Sequence, residues 1–255
     1  MDWRPEVHDS DGLAIWTGAG ERIWRPLNNP SGIQTSTYFD ARPKGFGLMQ
    51  RERRFSRYED GGALYHKRPS LWVEPLGDWG EGAVQLVEIP TDNEVHDNIV
   101  AYWTPKEPYR AGHHYKMQYR LHWRSDEPYP LGVARAVATR LGAGGVPGGP
   151  HLSGTVKYAV DFQGGRLKQF TEAGEIEAVI TSPSGVIERK AIYPIAETDK
   201  WRVTFDFRTT SSAPEDIRLY LRSGHEALSE TWLFQHLPRA QFSRHAQDGR
   251  RFTSR

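Results

Sequence analysis

Two carboxylates, Glu94 and Asp97, stand three residues apart in the turn-rich stretch 90–98 (PTDNEVHDN), and a second acidic stretch with Glu6, Asp9 and Asp11 lies far upstream. Two convergent acids are what glycoside hydrolysis needs: one protonates the departing oxygen and the other takes a proton from the attacking water. The spacing alone fits equally well with acids that accept backbone N–H groups in turns. His8, His96, His113 and His114 lack the i, i+4 pairing of helical metal ligands, and no metal or cofactor is expected. The chain has no cysteine and no Gly-x-Ser-x-Gly elbow, which leaves covalent acyl chemistry without support. Its Gly-rich stretches lack the Lys of a phosphate loop.

The acids need rigid elements to hold them. The alternating run 83–89 and the apolar run 99–103 read as strands on either side of the acidic loop, an arrangement that fixes a loop at both ends. Upstream, 13–17 and 21–27 read as a hairpin, 33–39 as a strand, and 113–123 as an edge or half-buried strand with Tyr115, Met117, Tyr119, Leu121 and Trp123 on one face. Arg51, Arg53, Arg54 and Arg57 form either a solvated face or a basic rim on a groove for a hydroxyl-rich or anionic ligand. Trp16, Trp24, Trp72, Trp79 and Trp103 fit core positions singly, and as a group they fit a sugar groove, since a pyranose packs its apolar face on aromatic rings. Trp72, Trp79 and Trp103, with Arg68 and His96, are the candidate substrate-binding residues.

A Pro/Gly-rich bracket, 124–130 and 142–150, surrounds the run LGVARAVATRL, which periodicity leaves open between helix and strand. From Thr155 onward, short strands and turns follow the rhythm of an immunoglobulin-sized sandwich, with Trp201, Val203, Phe205 and Phe207 sharing one face. The expected division is 1–127 as a first unit, 128–238 as linker plus immunoglobulin-like domain, and 239–255 as a basic, disordered tail.

Composition limits the partners. Lys plus Arg number 33 against 32 Asp plus Glu, a net charge of +1 that offers no electrostatic case for nucleic acid or an anionic membrane. The 25 Gly and 17 Pro, with 9 Trp, 11 Tyr and 10 Phe, favour turns and strands over helices. No stretch approaches the roughly 18 apolar residues of a membrane helix. The start lacks the basic residues and apolar run of an export signal.

Four motifs in order, RPEVHDSDG at 4–12, ARPKGFGLMQ at 41–50, RPSLWVEPLGDWG at 68–80 and VEIPTDNEVHDNIVA at 87–101, resemble the periplasmic glucan biosynthesis proteins, the G and D type of the osmoregulated periplasmic glucan pathway. The resemblance implies an all-β chain: the C-terminal part of a large galactose-mutarotase-like β-sandwich, then an immunoglobulin-like β-sandwich. It implies a periplasmic location, β-1,2-linked glucan as ligand and the membrane glucan-synthesis machinery as a further partner. It also implies inverting hydrolysis of the glucan backbone with Asp97 as general acid, Asp9 as general base, Tyr65 in the proton path and Glu94 beside the acid. The alternative is a non-catalytic glucan-binding or presenting role that supports branching or export. Members of the family carry a signal peptide and about half of the large domain ahead of the point where this chain starts. A chain truncated in that way is expected to expose unpaired edges and apolar surface.

Overall fold

A computed structural model describes residues 4–93, 96–146, 148–149 and 152–237. The basic stretch 239–255 lies outside the described residues. The chain is all-β and splits into two compact units, one up to Pro130 and one from Leu131.

In the first unit, β1 (Gly12–Trp16) and β2 (Arg22–Pro26) form the hairpin expected from their alternation. β4 (Gly45–Met49), β5 (Ser70–Leu76) and β8 (Gln118–Arg124) extend it antiparallel, in the order β2-β1-β4-β5-β8. A second sheet has the order β3-β6-β7, from Gln34–Ala41, Glu81–Glu88 and Ile99–Pro105. β4, GFGLM, is a strand despite two glycines because its neighbours need them. A Cβ on Gly45 would sit 2.4 Å from the Trp72 ring, and one on Gly47 would sit 2.0 Å from the Leu71 carbonyl oxygen.

Period-two alternation decides what is buried. Val84, Leu86 and Glu88 of β6 point inward with Trp103 of β7, while Phe39, Tyr102 and Val100 lie on the outward face. Leu13 and Ile15 of β1 share the inward face of the other sheet with Arg25 of β2. Arg25 Nη2 donates to Glu88 Oε2 at 2.8 Å with both side chains out of contact with water, which joins the two inward faces by an ion pair.

At β8 the structure departs from the expected strand. It begins at Gln118, and Tyr115 and Met117 belong to a loop. The Tyr115 hydroxyl accepts the N–H of Arg110 at 2.9 Å and its ring meets Tyr109 edge-on at 4.7 Å, so local contacts replace a ladder. The apolar face of β8 is exposed rather than half-buried, with Tyr119, Leu121 and Trp123 all open to solvent on an edge strand.

In the second unit, β9 (Arg135–Ala143), β10 (Thr155–Gln163), β12 (Val186–Pro194) and β13 (Lys200–Arg208) form a sheet in the order β12-β13-β10-β9. The run that periodicity left open is thus a strand, β9, paired to β10. β11 (Glu177–Thr181), β14 (Glu215–Ser223) and β16 (Thr231–His236) form another ladder in the order β11-β14-β16, and the short β15 (Glu226–Ala227) pairs β14. Trp201, Val203, Phe205 and Phe207 are all buried, and Tyr158 stacks on Phe205 with ring centroids 5.2 Å apart. The Tyr158 hydroxyl lies 2.7 Å from His236 Nδ1, so the one polar atom this ring carries into the core is satisfied.

Two stability predictions follow from these contacts. Glu88→Ala leaves Arg25 charged and buried without its carboxylate, so it is expected to cost about 3–5 kcal/mol, read as a lowered urea midpoint. Glu215 is partly desolvated, which on its own would raise its pKa. Hydrogen bonds from Ser182, Thr209 and the N–H groups of Ser184 and Gly185 outweigh that and bring it from 4.5 down to about 2. A depressed carboxylate stabilises the fold fully above its unfolded pKa and loses that contribution as pH falls through the folded value. The chain should therefore lose stability between about pH 4.5 and 2, with a shallower loss in Glu215→Gln, as measured by melts across that range.

Candidate functional site

The strand registers gather the candidate catalytic residues at one end of the first unit. Gly12 pairs with both Pro26 and Met49, Ser70 with Arg124, and Glu88 with Ile99. The segments 4–11, 27–33, 50–69 and 89–98 therefore all emerge from that end. Asp9, Tyr65 and Asp97 are carried by three of them, and Glu94 lies outside the described residues.

The Asp9 segment is held by its neighbours in alternation. Arg4 donates to Asp60 at 2.6 Å, Arg57 donates to Glu6, and His8 Nε2 lies 2.7 Å from Asp11 and 3.2 Å from the Tyr58 hydroxyl. With Arg4, Glu6 and His8 bound in this way, Asp9 faces solvent. Asp11 closes the segment onto the next one by accepting the N–H groups of Arg51 and Glu52, the latter at 2.6 Å.

Burial of His8 disfavours its charge, but the hydrogen bond and negative charge of Asp11 prevail and hold its pKa above 6.5. Burial acts on Glu6 in the opposite sense. It raises the carboxyl above 4.5 against the pull of His8 and Arg57.

Tyr65 begins a 3₁₀ turn, Tyr65–Lys67, and is itself buried. Leu64 ahead of it adopts the left-handed conformation at φ 54°, a cost that branched L-residues bear only where neighbours impose it. Those neighbours are in place: Asp60 Oδ1 accepts the N–H groups of Gly62 and Ala63, each at 2.7 Å, and the Leu64 carbonyl accepts the N–H of Lys67 at 2.8 Å.

Gln50 ties the two segments together. Almost wholly buried at the end of β4, it donates from Nε2 to the Tyr58 hydroxyl and lies 3.4 Å from the carbonyl oxygens of both His8 and Tyr65. The sequence motif containing Gln50 signalled a resemblance and gave no hint of this role.

Asp97 and His96 are exposed on the β6–β7 loop. The root of that loop is pinned: Ile89 and Asn98 bond through Ile89 N–H to Asn98 O at 2.8 Å and Asn98 Nδ2 to Ile89 O at 3.0 Å. Asn29 adds two bonds to Thr91, at 2.7 and 3.1 Å. Asn29 follows Asn28, whose N–H donates to Glu88 at 2.5 Å, and Leu27, whose N–H donates to the Asp11 carbonyl at 3.0 Å. One continuous set of bonds therefore runs from the Asp9 segment to the Asp97 loop.

The aromatic candidates are distributed differently. Trp72 is 1% and Trp103 8% exposed, so neither presents a ring face to solvent in this chain. Trp16 and Trp24 each carry a guanidinium on the ring, Arg22 and Arg51 respectively, both at 3.6 Å. Trp79 lies at the opposite end of β6 from Asp97. Arg68 is exposed beside the Tyr65 ring, 5.6 Å from its centre.

The arginines of 51–57 are neither wholly solvated nor a free basic rim. Arg51 pairs with Glu127 at 3.0 Å, Arg57 pairs with Glu6, Arg54 grips Glu52, and Arg53 donates to the Ser70 hydroxyl at 3.1 Å and the Ser125 carbonyl at 3.0 Å. No cluster of three or more metal-ligating side chains occurs among the described residues.

Comparison with known sequences agrees with the motifs. The family profile described as "Periplasmic glucan biosynthesis protein, MdoG" matches residues 1–236. The chain is 57% identical over 240 residues to "Glucans biosynthesis protein D 2" of Ralstonia nicotianae, covering 93% of this chain and 44% of that protein. It is 49% identical over 239 residues to "Glucans biosynthesis protein D" of Stenotrophomonas maltophilia, covering 93% and 45%. To the protein of the same name in Xanthomonas oryzae pv. oryzae it is 46% identical over 247 residues, covering 95% and 46%. The chain spans less than half the length of these relatives. Matched along nearly its whole length by the family profile, the chain belongs to the periplasmic glucan biosynthesis protein family.

Proposed function

We propose that the acidic end of the first unit is a glucan-processing site, working in the periplasm in the biosynthesis of osmoregulated glucans. Its substrate is the β-1,2-linked glucan backbone, which it cleaves with inversion. Asp97 donates a proton to the departing oxygen, Asp9 takes one from water, and Tyr65 lies in the proton path. The reading is supported by one observation above all: segments bearing Asp9, Tyr65 and Asp97, separated by up to 88 positions in sequence, leave the sheets at the same end, the first two bonded through Gln50 and the third linked to the first through 27–29. Both acids face solvent, where a polymer can reach them. Inversion places a water between acid and base, so carboxyls set on separate loops suit it better than a tight pair. A galactose-mutarotase-like sandwich in the longer relatives would frame such a cleft.

A second reading has an observation in its favour. Among the described residues, no hydrogen bond orients the carboxylate of Asp97 or Asp9, as would suit acids that bind glucan hydroxyls and present the chain to membrane synthesis machinery for branching or export. Turnover separates the two readings. Incubated with linear β-1,2-glucan, the unsubstituted chain is expected to release products of inverted anomeric form. Asp97→Asn and Asp9→Asn should each lose a factor of at least ~10² in kcat while retaining glucan binding. Gln50→Leu should lower kcat with little change in KM, since it loosens the Asp9 and Tyr65 segments without touching sugar. Binding without turnover in the unsubstituted chain would favour presentation.

A further inference from the structure

The loops at the far end of β6 and β7 form a half-open cavity of about 350 Å³ that no part of the acidic end shares. Three rings line it, Trp79, Tyr109 and Tyr115, among charged side chains. Trp79 is braced against Trp103 at 6.1 Å and Tyr119 at 6.4 Å and fixed by its indole N–H to the Gln118 carbonyl at 3.0 Å. Tyr109 and Tyr115 stand opposite as an edge-on pair, both exposed. Trp79 is thus the candidate tryptophan whose ring neither lies in the core nor carries a guanidinium.

The charges around the opening decide what it would accept. Asp78, Glu81 and Glu107 face Lys106 and Lys116, and Lys106 is already engaged by Glu81 at 2.6 Å. Carboxylates and ammoniums are so nearly matched that a strongly charged ligand gains little. Flat rings with polar groups at their margin suit a neutral molecule that has one apolar face and a rim of hydroxyls. Volume points the same way, since ligand sites run from roughly 300 to 1,000 Å³ and this one has room for a short stretch of glycan.

We infer that this aromatic cavity is a second, non-catalytic glycan-binding site, separate from the acidic end. β6 alone places the two ends roughly 20 Å apart at about 3.3 Å per residue. The identity of the glycan as β-1,2-glucan rests on the function proposed above; the site itself does not. A long chain held at both ends gains affinity through effective concentration, whereas a short oligosaccharide gains none.

The test is an NMR titration that follows the Trp79 indole N–H, assigned with Trp79→Phe, in the full chain carrying Asp97→Asn so that the sugar is not consumed. Linear β-1,2-glucan is expected to shift this resonance saturably. Tyr109→Ser, at an exposed ring and with the Tyr115 bond to Arg110 left in place, should weaken that response at least ~10-fold while leaving turnover of short oligosaccharides by the Asp97-containing chain unchanged. A silent Trp79 resonance at saturating glucan overturns the inference even if the chain hydrolyses glucan. An equal response to polyglutamate or polylysine overturns the neutral-glycan assignment. A shift at Trp79 in a chain that shows no turnover supports this site while the hydrolytic reading fails.

Discussion

A guanidinium and a carboxylate meeting where water does not reach set the terms for the first unit. Arg25 comes from the hairpin β1–β2 and Glu88 from the last position of β6, and their 2.8 Å contact ties one sheet to the other. Ionised groups are costly to bury, and further hydrogen bonds to such a pair offset part of that cost. Here the second carboxylate oxygen accepts the N–H of Asn28, and the guanidinium also donates to the Pro26 carbonyl. The pair therefore fixes the chain on both sides of the β2 exit. Because Leu27 binds Asp11 and Asn29 binds Thr91, the positions of the Asp9 segment and the Asp97 loop both follow from it.

Around that anchor the acidic end is built from polar side chains that bind backbone. Asp11 and Asp60 accept paired N–H groups, Asn29 and Asn98 bridge the loop root, and Gln50 reaches two carbonyls. Loops of this kind have few apolar contacts to give them a fixed shape, so hydrogen bonds to backbone do that work. Residues left without such partners, Asp9 and Asp97, are those at the surface. At the other end of the same strands the means differ. Aromatic packing shapes the loops around Trp79, which suits a surface that holds a ligand without reacting with it.

Much of the strand layout could be read from alternation, because a buried face imposes period two on the sequence: β6, β7 and β13 show it plainly. Where alternation misled, as at Tyr115, local contacts had taken over. Sequence motifs carried Asp9 and Asp97, and the resemblance implied Tyr65, yet neither could reveal that Trp72 and Trp103 are enclosed or that Trp79 belongs to the opposite end. Position along a chain does not say which end of a strand a residue occupies until the register is known. Likewise, the arginines of 51–57 carry no sequence mark of the acids and carbonyls they meet, since Glu6, Glu127 and Ser125 lie far away in the chain.

The central claim is that Asp9, Tyr65 and Asp97 share one sugar-binding site. A crystal structure of the Asp97→Asn chain soaked with a β-1,2-linked gluco-oligosaccharide tests it most directly. A glycosidic oxygen should lie within hydrogen-bond distance of residue 97, with a water between the sugar and the Asp9–Tyr65 side. Sugar density confined to other surfaces, with the acidic end empty at saturating ligand, would contradict it.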